Sequence, residues 1–389
     1  MRLIILLLVL LTVLGVWEQQ RHARTRRRIP VRVHVNGSRG KSSVARLIGA
    51  GLRAGGLRVV AKTTGSAAAL VHVDGSESPI RRRGGPNIRE QLAVMRAAVA
   101  ERCDALVLEC MAVRPDLQRV CEHGIVHATH GVITNVRPDH LEVMGPTMDD
   151  VAASLGGTVP RKAGFFTAEL AYADYLGRRA GKLGTTCTVC RAEDVTAQEM
   201  AGFRYVEFAD NVALALAVCQ DAGVDRRTAL EGMWDVTPDV GALTRWRCVE
   251  DGKHVEFINA FAANDPVSYI RIWERLGLDA EPGRVVLLMN VRGDRQRRSK
   301  DLAPLLGREL PAAHYALIGE ETAVFGDLLR RQGYPSRSLV ADLSRLPEDA
   351  LWRALVALAP DGGAVVGVGN IAGIGNRLLD HVRARRLPA

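Results

Sequence analysis

The stretch Val31-Arg-Val-His-Val-Asn-Gly-Ser-Arg-Gly-Lys-Ser-Ser43 constrains the fold more than any other part of the chain. Val31, Val33 and Val35 alternate with polar residues as in a half-buried strand. Val44, Leu47, Ile48, Gly51 and Leu52 then recur at helical spacing. A glycine loop between a strand and a helix turns backbone N–H groups around a phosphate, and the helix N-terminus adds its positive end. Lys41 is placed to reach the outer phosphates and Ser42 to offer a hydroxyl to Mg²⁺. The longer G-x-x-x-x-G-K spacing would need glycine at 35, where Val35 stands; the pattern here is Gly37-x-x-Gly40-Lys41-Ser42. A structural turn is the other reading, and the strand–loop–helix setting favours nucleotide binding.

At 389 residues, 47% hydrophobic and 24% charged, the chain has room for two domains with ample core. Its net charge of +9 points away from nucleic acid once located. Arg21, Arg24, Arg26, Arg27 and Arg28 crowd one short segment, aromatics are 5%, and no basic stretch interleaves with them to stack bases. Those arginines follow an apolar run from Leu3 to Val16, capped by Trp17. As a helix the run covers roughly 21 Å at about 1.5 Å per residue, against a hydrocarbon core of about 30 Å. Trp17 at the interface and a snorkelling Arg2 extend it. Charge follows the apolar stretch instead of preceding it, so a cleaved signal is disfavoured. The expectation is a single uncleaved N-terminal anchor in the cell membrane with the catalytic domains cytoplasmic; a short buried or interfacial helix is the alternative. The seven cysteines form no disulfide framework, and Cys187-Thr-Val-Cys190 fits a zinc or redox motif less well than strand residues in a reducing compartment.

Short β-like runs alternate with helical stretches throughout, which implies parallel α/β sheets. Leu57–Ala61, Asp104–Leu108 and Gly131–Val136 read as strands ending in Lys62-Thr-Thr-Gly65, Glu109 and Arg137-Pro-Asp-His140. Val206–Phe208 reads as a later strand. A second series comprises Val255–Ile258, Arg284–Met289, Tyr315–Ile318 and Ala364–Gly367, after a hinge at residues 238–242. The division expected is a membrane anchor with its basic segment (1–28), a P-loop ATP-binding domain (29–245) and a smaller Rossmann-like α/β domain (246–389).

In open α/β sheets ligands bind beyond the carboxyl ends of strands. Glu109 there is a candidate Mg²⁺ ligand, with a capping or salt-bridged glutamate as the plainer reading. His140 is a second-metal candidate or a hydrogen-bonded histidine. Position tilts both, because each closes a strand of the sheet that carries the P-loop.

Taken with Lys62-Thr-Thr-Gly65, Gly85-Pro-Asn-Ile88, Glu109-Cys-Met-Ala-Val113, Asp139-His-Leu-Glu-Val-Met-Gly-Pro146, Asp210-Asn211, Asn259-Ala-Phe-Ala-Ala-Asn-Asp265, Gly293-Asp-Arg295 and Gly367-Val-Gly-Asn-Ile371, the loop resembles the Mur ligase superfamily. More closely, the chain resembles the ligase subunits of poly-γ-glutamate synthases over almost its whole length. The resemblance implies an ATP-dependent amide ligase that polymerises glutamate through an acyl phosphate and releases ADP and phosphate. Gly37, Ser38, Arg39, Gly40, Lys41, Ser42 and Ser43 would cradle ATP, with Thr64 facing the γ-phosphate. Glu109 and Ser42 would hold one Mg²⁺ and His140 a second. Asn211 would approach adenine or ribose, Arg245 the phosphates, and Asn264 and Asp294 would close from the second domain. Many Mur ligases carry a metal-binding lysine after this histidine; here Val151-Ala-Ala-Ser-Leu-Gly-Gly157 has none, and Lys162 comes late, in the next strand. Ala263 stands where histidine is common. The P-loop follows the anchor so closely that no UDP-sugar domain fits between. The implied partners are glutamate, the growing polymer and membrane-embedded synthase or export subunits, with room for a homo-oligomer. The competing readings are a folate-type or other amino-acid ligase, a non-ligating ATPase of an exporter and a nucleotide-binding scaffold.

Overall fold

The computed structural model describes residues 2–65, 68–82, 84–238, 243–261, 263, 266–293, 302–306, 308–331, 339–340 and 342–387. Two compact units divide at 239/240, ahead of the expected 245/246 boundary. Thr244 already begins a strand of the second unit's sheet. Residues 239–242 of the expected hinge lie outside the described residues.

The first unit opens with helix α1 (Arg2–Arg27), which runs unbroken through both the apolar run and the basic segment. Its 26 residues span about 39 Å at about 1.5 Å each. None of its side chains is buried, so the buried-helix alternative is not realised. One 18-residue window reaches a mean hydropathy of 2.0, long and apolar enough to cross a membrane. His22 Nε2 donates to the Ile125 carbonyl at 2.8 Å, tying the basic end of α1 to the sheet domain.

Next come β1 (Val31–Asn36), α2 (Lys41–Ala54), β2 (Val59–Thr63), β3 (Ala69–Val71), β4 (Glu77–Pro79), α3 (Glu90–Ala100), β5 (Ala105–Glu109) and α4 (Pro115–Val120). A π-helical turn (Cys121–Val126) leads to β6 (His130–Ile133), α5 (Leu141–Met144), α6 (Met148–Gly156) and β7 (Gly164–Thr167). The unit closes with α7 (Ala173–Lys182), β8 (Thr186–Val189), α8 (Ala197–Met200), α9 (Ala209–Asp221) and α10 (Arg226–Trp234). The sheet order is β4-β3-β2-β5-β1-β6-β7-β8, parallel except for the hairpins β2–β3 and β3–β4. Register sets Val35 beside Glu109, Asn36 beside Ile133 and Lys62 beside Leu108, so the ends of β1, β2, β5 and β6 align. One face packs Val33, Val35 and Val107 under α2, α9 and α10; the other packs Leu106 and Leu108 against Met95 of α3 and Cys121.

Several expected strands shift, for local reasons. β2 starts two residues late because the Leu57 N–H still closes the turn after α2 on Leu52. β6 stops at Ile133 because Thr134 and Asn135 bend to the P-loop. Val206–Phe208 is not a strand, and the Glu207 carboxylate accepts the Phe208 N–H instead. Lys162 sits before β7 with φ 50°, outside the strand. β1 is buried on both faces, not one: His34 and Asn36 are 1% and 2% exposed and satisfied by Glu122 and by Gln118 and Thr158. A central strand of a parallel sheet has helices over both faces, so its polar positions must find internal partners. All seven cysteines are free thiols; Cys187 lies in β8 and Cys190 just beyond it.

The second unit holds β9 (Thr244–Glu250), β10 (Lys253–Asn259), β11 (Val285–Val291), β12 (His314–Gly319), β13 (Leu339–Val340) and β14 (Gly363–Gly369). Their order is β13-β12-β11-β14-β10-β9, parallel apart from β9. Phe257 stacks on Trp246 at 6.0 Å and meets Trp352 edge-on at 5.9 Å. Deleting a buried phenylalanine ring costs about 3–5 kcal/mol. Phe257→Ala should therefore lower the unfolding free energy by about that much, read in urea by tryptophan fluorescence.

Candidate nucleotide and ligase site

Two glycines make the P-loop. Gly37 has φ 130°, and a Cβ there would lie 2.0 Å from Thr134 Oγ1. Gly40 has φ 80°, and a Cβ there would lie 2.7 Å from Asn211 Oδ1. Only glycine tolerates both the conformation and the approach. Thr134 and Asn135, just past β6, hold the loop in place. The Ser38 N–H donates to the Asn135 carbonyl and the Arg39 N–H to Asn135 Oδ1, each at 3.0 Å. The Arg39 carbonyl accepts from Thr134 Oγ1 and Asn135 Nδ2. Ser38 Oγ donates to the Arg137 carbonyl at 2.9 Å. The donors left for an anion include the N–H groups of Gly40, Lys41, Ser42 and Ser43 at the start of α2, which have no partner within the helix.

Lys41 Nζ folds back onto the Gly37 and Ser38 carbonyls at 2.6 and 3.2 Å. Beside it, Glu109 is 2% exposed, and its Oε2 accepts from Ser42 Oγ at 2.9 Å and from the Thr64 N–H at 2.5 Å. Burial raises its pKa, against the pull of the Lys41 charge and these two hydrogen bonds. The structure thus brings Lys41, Ser42, Thr64 and Glu109 together.

His140 caps α5 with φ 45°, its Nδ1 3.2 Å from Glu142 Oε1. Neighbouring Asp139 is held by the Arg39 guanidinium at 3.1 and 3.2 Å, which links this loop to the P-loop. Asn211 Nδ2 donates to buried Glu207 at 2.8 Å, so its amide backs the loop at Gly40. Arg245, on β9, makes a bidentate pair with Glu256 at 2.9 and 2.6 Å. Asn264 and Asp294 lie outside the described residues.

Spacing gave no sign of the support beneath Glu109. Gln91 Nε2 donates to the Glu109 carbonyl at 3.1 Å, and its Oε1 accepts from Lys62 Nζ at 3.1 Å. Lys62 is fully buried and 3.6 Å from Glu90, which Arg82 also grips. Burial lowers the Lys62 pKa, with the Glu90 charge opposing. The fragment Lys62-Thr-Thr-Gly65 was legible as a motif, but its partners come from α3.

A largely parallel sheet whose strand ends join a short P-loop to a buried carboxylate is a nucleotide-binding arrangement, and family models and relatives place it among the Mur-type amide ligases. The Mur ligase middle domain model matches residues 35–157, and the poly-gamma-glutamate synthase CapB C-terminal domain model matches residues 246–385. The capsule biosynthesis protein CapB of Bacillus anthracis is 36% identical over 97% of this chain and 82% of its own length. PGA synthase CapB of Bacillus subtilis (strain 168) is 34% identical over 98% of each. The chain belongs to the CapB family of poly-γ-glutamate synthases. In fold it is similar to the bifunctional folylpolyglutamate synthase/dihydrofolate synthase of Yersinia pestis complexed with AMPPNP and Mn, at TM-score 0.69, 16% identity and coverage of 94% and 92%. It is likewise similar to E. coli FolC in complex with ADP, at TM-score 0.68, 16% identity and coverage of 94% and 93%.

A raised pKa means that the folded state disfavours the ionised Glu109. The resulting loss of stability is present above the folded pKa and vanishes below the unfolded one. Glu109→Gln should raise the metal-free unfolding midpoint at neutral pH, with the gain fading as pH falls through the raised value towards the ordinary glutamate range. A thermal-melt series across pH checks both sign and window.

Proposed function

We propose that the P-loop unit activates a glutamyl carboxylate at the γ-phosphate of ATP, and that the acyl phosphate is captured by a glutamate amine to extend poly-γ-glutamate. ADP and phosphate leave. The observation that carries this reading is the buried Glu109 carboxylate, clamped by Ser42 and Thr64 beside Lys41. Phosphoryl transfer asks for positioning and charge neutralisation more than for a protein nucleophile. Lys41 meets that demand by exchanging the Gly37 and Ser38 carbonyls for phosphate oxygens, while the N–H groups that open α2 hold the same anion. Ser42 Oγ and Glu109 are hard oxygen donors of the kind that hold Mg²⁺ together with substrate phosphates and water. Mg²⁺ held there would neutralise charge on the ATP phosphates.

His140 is assigned to a second metal, Thr64 to the γ-phosphate side and Asn211 to the nucleoside. Arg245, Asn264 and Asp294 enter through the family resemblance alone; within its own unit Arg245 is paired with Glu256. Relatives crystallised with AMPPNP and Mn, or with ADP, support ATP and a divalent cation. The apolar α1 followed by arginines supports a cell-membrane anchor with both units on the cytoplasmic side, where the polymer passes to membrane-embedded export partners.

Oxygen-18 placed in the donor carboxylate should appear in the released phosphate. Phosphate free of label, or formation of AMP and pyrophosphate, would overturn the acyl-phosphate route. Removing residues 1–28 should give a soluble protein that keeps ATP affinity and loses most polymer synthesis in cells; an undiminished polymer yield would show that tethering is dispensable.

A further inference from the structure

On the face of the sheet turned away from α2 lies a group of side chains that the ligase reading does not use. His34 stands in the middle of β1, Cys110 one residue beyond β5, and Cys121 opens the π-helical turn. All three are buried, and their ligand atoms lie within 4.8 Å of one another. Strand alternation explains the placement: Glu109 points to the P-loop side, and the next residue points to the opposite face. We propose that His34, Cys110 and Cys121 bind a thiophilic cation, zinc(II), on the back of the nucleotide sheet.

The donor set selects the ion. Two sulfurs and an imidazole suit zinc and disfavour magnesium, which takes oxygen ligands. The geometry agrees. Zn–N and Zn–S bonds of about 2.0 and 2.3 Å at a tetrahedral angle set N and S about 3.5 Å apart; His34 Nε2 and Cys121 Sγ are 3.7 Å apart. The imidazole is already oriented as a ligand: Nδ1 meets Glu122 Oε2 at 2.8 Å, leaving Nε2 towards the thiols. Glu122 Oε1 is fixed in turn by the Ala128 N–H at 2.8 Å. A carboxylate on the far nitrogen is the usual outer support of a zinc-bound histidine. The widened π-turn lets consecutive residues, Cys121 and Glu122, both face His34, and such turns recur at functional sites.

As each S–Zn bond forms, its thiol proton passes to the buffer and no electrons move, so uptake releases about two protons per ion. A site this enclosed loads as the chain folds. Because Cys110 directly follows Glu109, an ion here also pins the backbone that presents the P-loop carboxylate.

The test uses the full chain in detergent, expressed with zinc sulfate and analysed by elemental mass spectrometry. About one zinc per chain is expected after dialysis, none in Cys121→Ser, and about 10- to 100-fold weaker zinc affinity in Glu122→Gln. Unmodified protein expressed with cobalt(II) in place of zinc should give a near-ultraviolet thiolate-to-cobalt charge-transfer band, a readout that needs no variant to fold. Absence of that band would overturn the proposal. So would zinc retained by Cys121→Ser, or zinc lost in Glu109→Gln alone, which would place the ion at the P-loop.

Discussion

A carboxylate buried at the end of β5 is the interaction on which the nucleotide unit turns. Taking an ionised group out of water is costly unless donors replace its hydration. The donors for Glu109 come from the start of α2 and from the loop after β2, and its backbone carbonyl is held from α3. They converge only because β5 lies between β2 and β1. A shift of β5 by one residue would point Cys110 at the P-loop and turn Glu109 into the opposite core. Strand order, register and the charge at the site are therefore one constraint.

The P-loop depends on its neighbour in the same way. Its N–H groups at Ser38 and Arg39 are committed to Asn135, and its two glycines leave just enough space for Thr134 and Asn211. A loop braced from β6 and α9 is organised before any nucleotide arrives, which lowers the ordering cost of binding.

Much of this was legible in the sequence because apolar periodicity reports burial directly. The strand–loop–helix of residues 31–52, the strands around residues 105–108 and 255–258, and the polar residues that end them follow from alternation and punctuation alone. What stayed hidden was carried by long-range pairing. Lys62 reads as the start of a phosphate-loop motif, yet it is a buried cation matched by Glu90 and Gln91 from a helix some thirty positions on. His34 reads as the exposed side of a half-buried strand, but its partner Glu122 is 88 positions away and no local pattern announces it. The strands β3 and β4, three residues each, lacked a period long enough to register. Val206–Phe208 had the right composition for a strand, and a carboxylate bonded to its own loop prevented pairing.

The junction between α1 and β1 has a mechanical meaning. Only Arg28, Ile29 and Pro30 separate the helix from the first strand, and Ile29 is fully buried. Arg32 donates back to the Ile29 and His127 carbonyls, and His22 clasps Ile125 from the helix side. Such a joint behaves as a stiff lever, not as a leash. Whatever fixes the tilt and rotation of the apolar rod also fixes the attitude of the central strand that leads into the P-loop, so under the membrane-anchor proposal the phosphate-binding loop would be held at a set height and angle.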